Sequence, residues 1–247
     1  MEGIKQAIEF IANLAVQAEK PEQIEIAGKK YCTKNLTRYD KPKMAERIEV
    51  TTLTALVDYI KECRHEMHER MIVHVISPER VALYSSLTKE RERERLFECV
   101  AQVPRFEFGR EYGQEAFLIA MQACFDHSED RESVTVLASN IVQTQKAAYT
   151  DDGISQQAVI KTGVTSKGAA YVPNPVVLIP YRTFLEVEQP PSSFVFRVSE
   201  GRDGAPAFKL VEADGGRWRS EAMTNVYNYL KSELDDIPDR DKITIIS

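Results

Sequence analysis

Apolar residues in this chain follow two different periods, and the alternation of those periods constrains the fold more than any motif does. Spacings of three and four residues predict helices over 4–18, 51–70, 114–125, 134–142 and 218–234. Short runs rich in β-branched and aromatic residues predict strands at 71–76, 80–86, 96–103, 155–164, 176–187, 194–199, 208–211 and 243–246, with short extended pieces near 24–26 and 48–50. The sequence therefore predicts an α+β fold: antiparallel sheets with helices packed on one side, and a C-terminal half that is mostly β followed by a helix.

The same pattern predicts the division of the chain. Residues 1–50 read as an N-terminal helix and an irregular arm, and residues 51–247 as an α+β domain. From Tyr149 onward the composition shifts toward β-branched residues, proline and glycine, which predicts a subdivision of that domain near residue 148. The segment 201–204 (GRDG) predicts a hairpin turn between two of the later strands.

The charge balance disfavours nucleic acid as a partner. The chain has 32 Lys and Arg against 38 Asp and Glu, a net charge of −6. Binding to nucleic acid depends on basic side chains that neutralise phosphates, so an acidic chain needs a strongly local basic patch for it. No run of 18 apolar residues occurs, and the first residues lack the basic and apolar segments of a secretory leader. We therefore expect a cytoplasmic protein without a membrane association.

The cysteine and histidine pattern predicts no metal site. Four cysteines are spread along the chain without a CxxC pair, which in the cytoplasm indicates buried free thiols. Cys63, His65 and His68 lie close together, but a pair of zinc ligands on a helix takes a spacing of four, and no second ligand cluster follows.

The sequence also predicts no cofactor and no enzymatic activity. Asp151-Asp152-Gly153 offers paired carboxylates, but this triplet is typical of a turn, and no histidine, lysine or metal ligand is nearby to separate their pKa values. The sequence contains no nucleophile elbow, no dinucleotide fingerprint and no Walker motif.

One loop and its neighbours form the candidate ligand-binding site of the sequence. Lys161 and Lys167 flank glycines and hydroxyl side chains, a combination that can present ammonium groups and backbone N–H groups to an anion. An aromatic ring nearby could stack on a ligand ring, and a further arginine could pair with the anion. The predicted site comprises Lys161, Thr162, Thr165, Ser166, Lys167, Tyr171, Tyr181 and Arg182. An ordinary exposed β-loop is the alternative interpretation.

Six strings of residues carry a resemblance to a known family. They are 103–109 (VPRFEFG), 115–119 (EAFLI), 149–156 (YTDDGISQ), 172–176 (VPNPV), 180–184 (PYRTF) and 212–218 (EADGGRW). In their order they resemble the YfdQ-like proteins of phages and prophages, over about residues 50–236. That family has no assigned function, so the resemblance implies a phage or prophage origin and the cytoplasm of a host bacterial cell, but no active site.

The functional expectation is a non-enzymatic, self-assembling or partner-binding protein, whose partner would be a phage or host protein. The apolar run 243–246 (ITII) is a strand that a neighbouring subunit could accept, so we expect a homo-oligomer. Two alternatives remain open: an accessory nucleic-acid-binding protein of phage recombination, and a protein that sequesters a nucleotide or similar anion at the loop 161–168.

Overall fold

The structure is a computed structural model of the 247-residue chain, and it describes residues 2–26, 28–34, 43–141, 156–161, 167–201, 204–238 and 240–247. Of Glu19, Lys29 and the strands at 156–161 and 167–172, only the backbone is described. The chain divides into two compact units, Met1–Met44 and Ala45–Ser247. Asp151-Asp152-Gly153, part of the GRDG turn, Thr162, Thr165 and Ser166 lie outside the described residues.

Helices and strands alternate along the chain, as the two apolar periods predict. The helices are α1 (Glu2–Glu19), α2 (Leu53–Glu62), α3 (Gln114–Ala123), α4 (Glu129–Asn140) and α5 (Trp218–Glu233), with short 3-10 turns at Arg64–Glu66 and Arg240–Lys242. The strands are β1 (Gln23–Ile26), β2 (Lys29–Cys32), β3 (Ile48–Val50), β4 (Met71–Ser77), β5 (Arg80–Ser85), β6 (Arg95–Val100), β7 (Tyr112–Gly113), β8 (Gln156–Lys161), β9 (Lys167–Val172), β10 (Val176–Leu178), β11 (Ser192–Glu200), β12 (Pro206–Glu212) and β13 (Ile243–Ile246). The α+β prediction is confirmed.

The first unit contains α1 and a hairpin in which β1 pairs antiparallel with β2. Ile24 lies directly opposite Tyr31 in this hairpin. Every side chain described between residues 2 and 34 is exposed. The described part of this unit therefore has no buried core of its own.

A five-stranded sheet in the order β13-β4-β5-β6-β3 forms one half of the second unit. Its three central strands are antiparallel neighbours, whereas β13 and β3 run parallel to β4 and β6 at the two edges. Buried side chains of α2 and α5 share one core with this sheet, among them Leu56, Ile60, Val226 and Leu230. The alternation of buried and partly exposed residues along β4 shows that one face of the sheet meets that core.

A second sheet, in the order β10-β11-β12-β7, is antiparallel throughout. Its inner face packs with α3 and α4 around large aromatic rings: the Phe117 ring centroid lies 5.0 Å from that of Phe208 and 5.7 Å from that of Phe196. These rings come from a helix before residue 148 and from strands after it, so both stretches of chain contribute to one core. The predicted hairpin between the later strands is present as β11 and β12.

Two predicted elements are wrong in length. The second helix ends at Glu62 and not near Arg70, because the chain tightens into a 3-10 turn that the Tyr59 hydroxyl holds by donating to Glu66 Oε2 at 3.1 Å. The predicted strand 176–187 ends at Leu178, since the chain then forms a single bridge at Pro180 and folds into an irregular segment. Proline has no N–H to donate to a strand ladder, which explains the break.

The predicted strand at 243–246 is β13, which pairs parallel with β4 of its own chain at one edge of the five-stranded sheet. The expected homo-oligomer stays a prediction. The prediction of buried thiols is confirmed for Cys99 and Cys124, whereas Cys63 is partly buried and Cys32 is exposed.

Within the described residues, no helix has both the length and the apolar character needed to cross a bilayer.

Candidate functional site

The irregular segment between β10 and β11 is held in shape by one buried side chain, Gln189, which is 6% exposed. Its Oε1 accepts the backbone N–H groups of Arg182 at 2.9 Å and Thr183 at 3.2 Å. Its Nε2 donates to the carbonyl oxygens of Phe184 at 3.0 Å and Val187 at 3.2 Å. A buried amide that hydrogen-bonds to four backbone groups holds the segment in one conformation without strand pairing. The backbone from which the Arg182 side chain extends is therefore fixed.

The Arg182 guanidinium is buried among rings and acceptors, with 7% of the residue exposed. Its Nη1 donates to Glu212 Oε1 at 2.7 Å, and its Nη2 donates to the Ser192 hydroxyl. The guanidinium carbon lies 4.0 Å from the ring centroid of Trp218. This distance is within the range of a cation–π contact, which favours a guanidinium over a tryptophan ring. The Arg182 Nε has no hydrogen-bond partner among the residues that the structure describes.

Trp218 is the first residue of α5, and the turn before it positions the ring. Gly215 and Gly216 have φ values of 65° and 81°, a left-handed conformation that glycine adopts without strain. The Gly216 N–H donates to Asp214 Oδ1 at 2.9 Å, so the carboxylate closes the turn ahead of the helix. Trp218 is 9% exposed, and its indole Nε1–H has no hydrogen-bond partner.

These side chains line a cavity of about 390 Å³, here called the Arg182 cavity. Most of its wall is formed by three stretches of chain that are distant in sequence: the connection after β6, the segment after β10, and the region from the end of β12 to the first turn of α5. The lining residues are Glu79, Val103, Pro104, Arg105, Phe106, Glu107, Phe108, Cys124, Pro180, Tyr181, Arg182, Glu212, Trp218 and Arg219. A volume of this size is within the range that small-molecule sites occupy.

Burial and charge act against each other at Arg182. Burial lowers the pKa of Arg182 to about 10, although the carboxylates of Glu212 and Asp214 favour its charged form. The guanidinium therefore stays protonated at neutral pH. Burial raises the pKa of Asp214, but hydrogen bonds from Gly216 and Ser192 and the charge of Arg182 lower it by more than burial raises it. The pKa of Asp214 therefore lies below its usual value. Arg182 and Asp214 are therefore both charged at neutral pH.

Two more arginines lie at the cavity and carry charge that no carboxylate neutralises. Arg105 and Arg219 are exposed and have no ion pair among the described residues. Arg219 also contacts the indole, with its guanidinium carbon 4.8 Å from the Trp218 ring centroid. Glu107, in contrast, pairs with Arg110 at 2.5 Å. Among the described residues, Arg105 and Arg219 are therefore the cations of the cavity wall without an ion pair.

The chemistry of the lining favours binding over catalysis. The cations of the wall, Arg105, Arg182 and Arg219, are hydrogen-bond donors only, so a ligand that binds them must bring acceptors. The cysteine that lines the cavity, Cys124, has a pKa raised by burial, so it stays a thiol and is a poor nucleophile. The wall offers no pair of a nucleophile and a general base.

The structure brings together two of the residues predicted from the sequence and separates the others from them. Tyr181 and Arg182 both line the Arg182 cavity. Lys161 and Lys167 face each other as the closing pair of the β8–β9 hairpin, and Tyr171 lies opposite Gln157 in the same hairpin. Their side chains are outside the description, as are Thr162, Thr165 and Ser166 altogether. The binding role of these hairpin residues stays a prediction.

Sequence reasoning missed Trp218, Glu212, Arg105 and Arg219 as parts of the site. A signal was present, because three of the six distinctive strings, 103–109, 180–184 and 212–218, supply most of the cavity wall. Arg105, Arg182 and Trp218 lie one in each string. Each string by itself is typical of a turn, and only the folded structure shows that the three strings line the same cavity.

The histidine-rich stretch after α2 forms a second, shallower cavity of about 310 Å³, with His65, His68 and Lys242 among its lining residues. His68 Nε2 lies 2.5 Å from Glu94 Oε2, so the imidazole already has a partner within the protein. In the part of the chain that the structure describes, no three His, Cys, Asp or Glu side chains are grouped to hold a metal ion.

Comparison of the chain with models of protein families, with curated proteins and with solved structures gave no match. The resemblance to the YfdQ-like proteins therefore rests on the six strings, and it stays a prediction.

Proposed function

We propose that this protein is a non-enzymatic binding protein that captures a small anionic molecule with a flat ring in the Arg182 cavity. The observation that carries the proposal is one cavity wall that combines two exposed arginines, Arg105 and Arg219, with the aromatic side chain of Trp218.

The anionic part of the ligand follows from the charges at the cavity. Arg105 and Arg219 supply cations without carboxylate partners, and each is exposed enough to turn toward a bound ligand. A phosphate or a carboxylate can pair with these arginines, because it carries negative charge and several acceptor oxygens. Glu79 and Glu212 also line the cavity, so the charged group of the ligand must lie nearer the arginines than these carboxylates.

The flat part of the ligand follows from the aromatic wall. Phe106, Phe108, Tyr181 and Trp218 contribute rings to one cavity, with prolines between them. Rings of this kind bury planar ligands and orient them by stacking. Nucleotides have both features and are the first class to test, and aromatic carboxylates are the second.

The biological setting is part of the same proposal. A sequestering protein of this kind suits the phage or prophage origin that the six strings imply, since it would act on a small molecule of the host bacterial cell. The nucleic-acid alternative has less support, because the chain has a net charge of −6 and the cavity is sized for a small molecule.

The test uses the single tryptophan of the chain as its reporter. Adenosine monophosphate, cyclic adenosine monophosphate, benzoate, inorganic phosphate and single-stranded DNA are titrated against Trp218 fluorescence over a range of salt concentrations. We expect saturable quenching by a ring-bearing anion, weakened by salt, with much weaker binding of inorganic phosphate. Native mass spectrometry of the purified protein identifies any small molecule that it retains.

Variants locate the site. Arg105→Ala/Arg219→Ala removes the two unpaired cations, and we expect at least about tenfold weaker binding, since a hydrogen bond to a charged group contributes about 1.5–3 kcal/mol. Arg217→Ala is the matched control, because it removes an exposed arginine of the same turn that does not line the cavity. Equal binding by the double variant and the control would refute the proposal, as would the absence of both saturable binding and a retained molecule. A loss confined to Lys161→Ala/Lys167→Ala would move the site to the β8–β9 hairpin.

A further inference from the structure

Helix α1 presents apolar side chains at a spacing that neither the fold nor the proposed function uses. Ile4, Ile8, Ile11, Ala15 and Ala18 recur at alternating intervals of four and three residues. This is the repeat by which helices pack along one another. The three isoleucines are 69%, 62% and 64% exposed, so the described part of the first unit leaves the repeat uncovered.

The described part of the first unit buries no apolar side chain. All its described side chains are exposed, and the sheet described there is the two-stranded β1–β2 hairpin. A two-stranded hairpin is at best marginally stable in water, and an isolated helix of this length gains most of its stability from packing. A helix of 18 residues with three exposed isoleucines in one row therefore needs a partner.

The charges of α1 distinguish between the surfaces that could cover it. The helix carries Glu2, Glu9 and Glu19 against the single basic residue Lys5. Helices that lie on membranes are rich in lysine and arginine on the polar face, because they bind anionic lipids. The acidic helix α1 lacks that attraction. Lys5 is the one charge that flanks the isoleucine row in its first half, so like helices can approach without repulsion between their flanks.

We propose that α1 is the self-association element of this protein, and that the α1 helices of three or four copies of the chain pack together through the Ile4-Ile8-Ile11 row. The number follows from the residue types, because isoleucine at both core positions of the repeat favours three or four strands over two. Leu14, which lies beside the row and is also exposed, widens the apolar arc beyond what one neighbouring helix covers.

The test is the mass of the full chain in solution, measured by light scattering and by sedimentation. At about 10 μM we expect an assembly of three or four copies of the 28.1 kDa chain, which dissociates on dilution because assembly depends on concentration. Ile8→Asp/Ile11→Asp places charge in the row and should give the monomer mass. Gln6→Asp/Asn13→Asp is the matched control, because it adds the same charge to the polar face of α1.

Three further measurements keep the result decisive. The Trp218 fluorescence melting curve must be the same for all three proteins at the monomer concentration, which shows that residues 45–247 stay folded. The milder variant Ile11→Ala should shift the dissociation to higher concentration without abolishing assembly. Flotation with vesicles of phosphatidylcholine and phosphatidylglycerol tests the membrane alternative.

A wild-type chain that is monomeric at this concentration would overturn the proposal, as would an Ile8→Asp/Ile11→Asp variant that keeps the assembled mass. A monomeric wild type that floats with vesicles, and a variant that does not, would assign the row to a membrane surface. None of these outcomes depends on ligand binding at the Arg182 cavity.

Discussion

Replacing the buried Gln189 by methionine tests whether one amide holds the segment that carries Arg182. Methionine has nearly the same length and volume, so Gln189→Met removes the hydrogen bonds without opening a cavity. The amide joins four backbone groups of this segment at distances between 2.9 and 3.2 Å. At a net value of about 1 kcal/mol for each bond, we expect a loss of about 3–4 kcal/mol in the free energy of unfolding.

The assay is urea unfolding at pH 7, followed by the fluorescence of Trp218. Because Trp218 contacts the Arg182 guanidinium, its emission reports on the region that the substitution affects. Gln122→Met, at an exposed position of α3, is the matched control and should change the free energy by less than about 0.5 kcal/mol. A loss of less than about 1 kcal/mol for Gln189→Met, or a loss equal to that of the control, would show that the segment is held by its packing and not by the amide.

Three further predictions concern titration, reactivity and metal. The pKa of Glu94 is lowered chiefly by its hydrogen bond with His68 and by that from the Ala45 N–H, so the stability that Glu94 contributes is present above the ordinary pKa of 4.5 and is lost as the pH falls through the lowered value. In urea unfolding, Glu94→Gln should therefore have a lower free energy of unfolding than the wild type at neutral pH, and this difference should narrow in acid. A difference that grows in acid would contradict the prediction. Burial, with the charges of nearby glutamates, raises the pKa of Cys99 to about 12. Peptide mass spectrometry should therefore show that iodoacetamide at neutral pH labels the exposed Cys32 in the native protein and Cys99 only after unfolding. Rapid labelling of Cys99 in the native protein would disprove its burial. A chelator should leave the melting temperature unchanged, and a stoichiometric metal found by elemental analysis would contradict the absence of a metal site.

The helices and the central strands follow from local patterns and could be predicted. β4, β5 and β6 are runs of β-branched and aromatic residues with turn signals between them, and β11 and β12 are joined through a glycine-containing turn. α5 has its buried residues at a spacing of four, from Trp218 to Leu230. In each case the residues that decide the structure are neighbours in sequence.

The parts that could not be predicted depend on contacts between distant residues. The parallel pairing of β13 with β4 joins the two ends of the second unit, and nothing in the run ITII distinguishes that partner from a neighbouring subunit. The end of the strand at Leu178 could have been predicted, because Pro180 interrupts the run. The role of Gln189 could not, since its four backbone partners are defined only by the folded loop.

The candidate site shows the same limit. Tyr181 and Arg182 were recognised as a ring and a cation that could bind a ligand, but they were grouped with lysines that precede them in the chain. Glu212 and Trp218 approach Arg182 because β12 ends, and α5 begins, beside the segment after β10. A buried arginine needs a carboxylate and often a ring, and the sequence alone does not show which ones.

The pairing of β13 with β4 has a consequence for synthesis of the chain on the ribosome. β4 is made early, but the strand that covers its outer edge is made only when residues 243–246 leave the exit tunnel. At about 5–20 residues per second, that edge stays open on the nascent chain for roughly 10 to 30 s. During this time its unpaired N–H and C=O groups can accept a strand from another nascent chain. Yield in rapid overexpression should therefore depend on how quickly translation proceeds from β4 to β13.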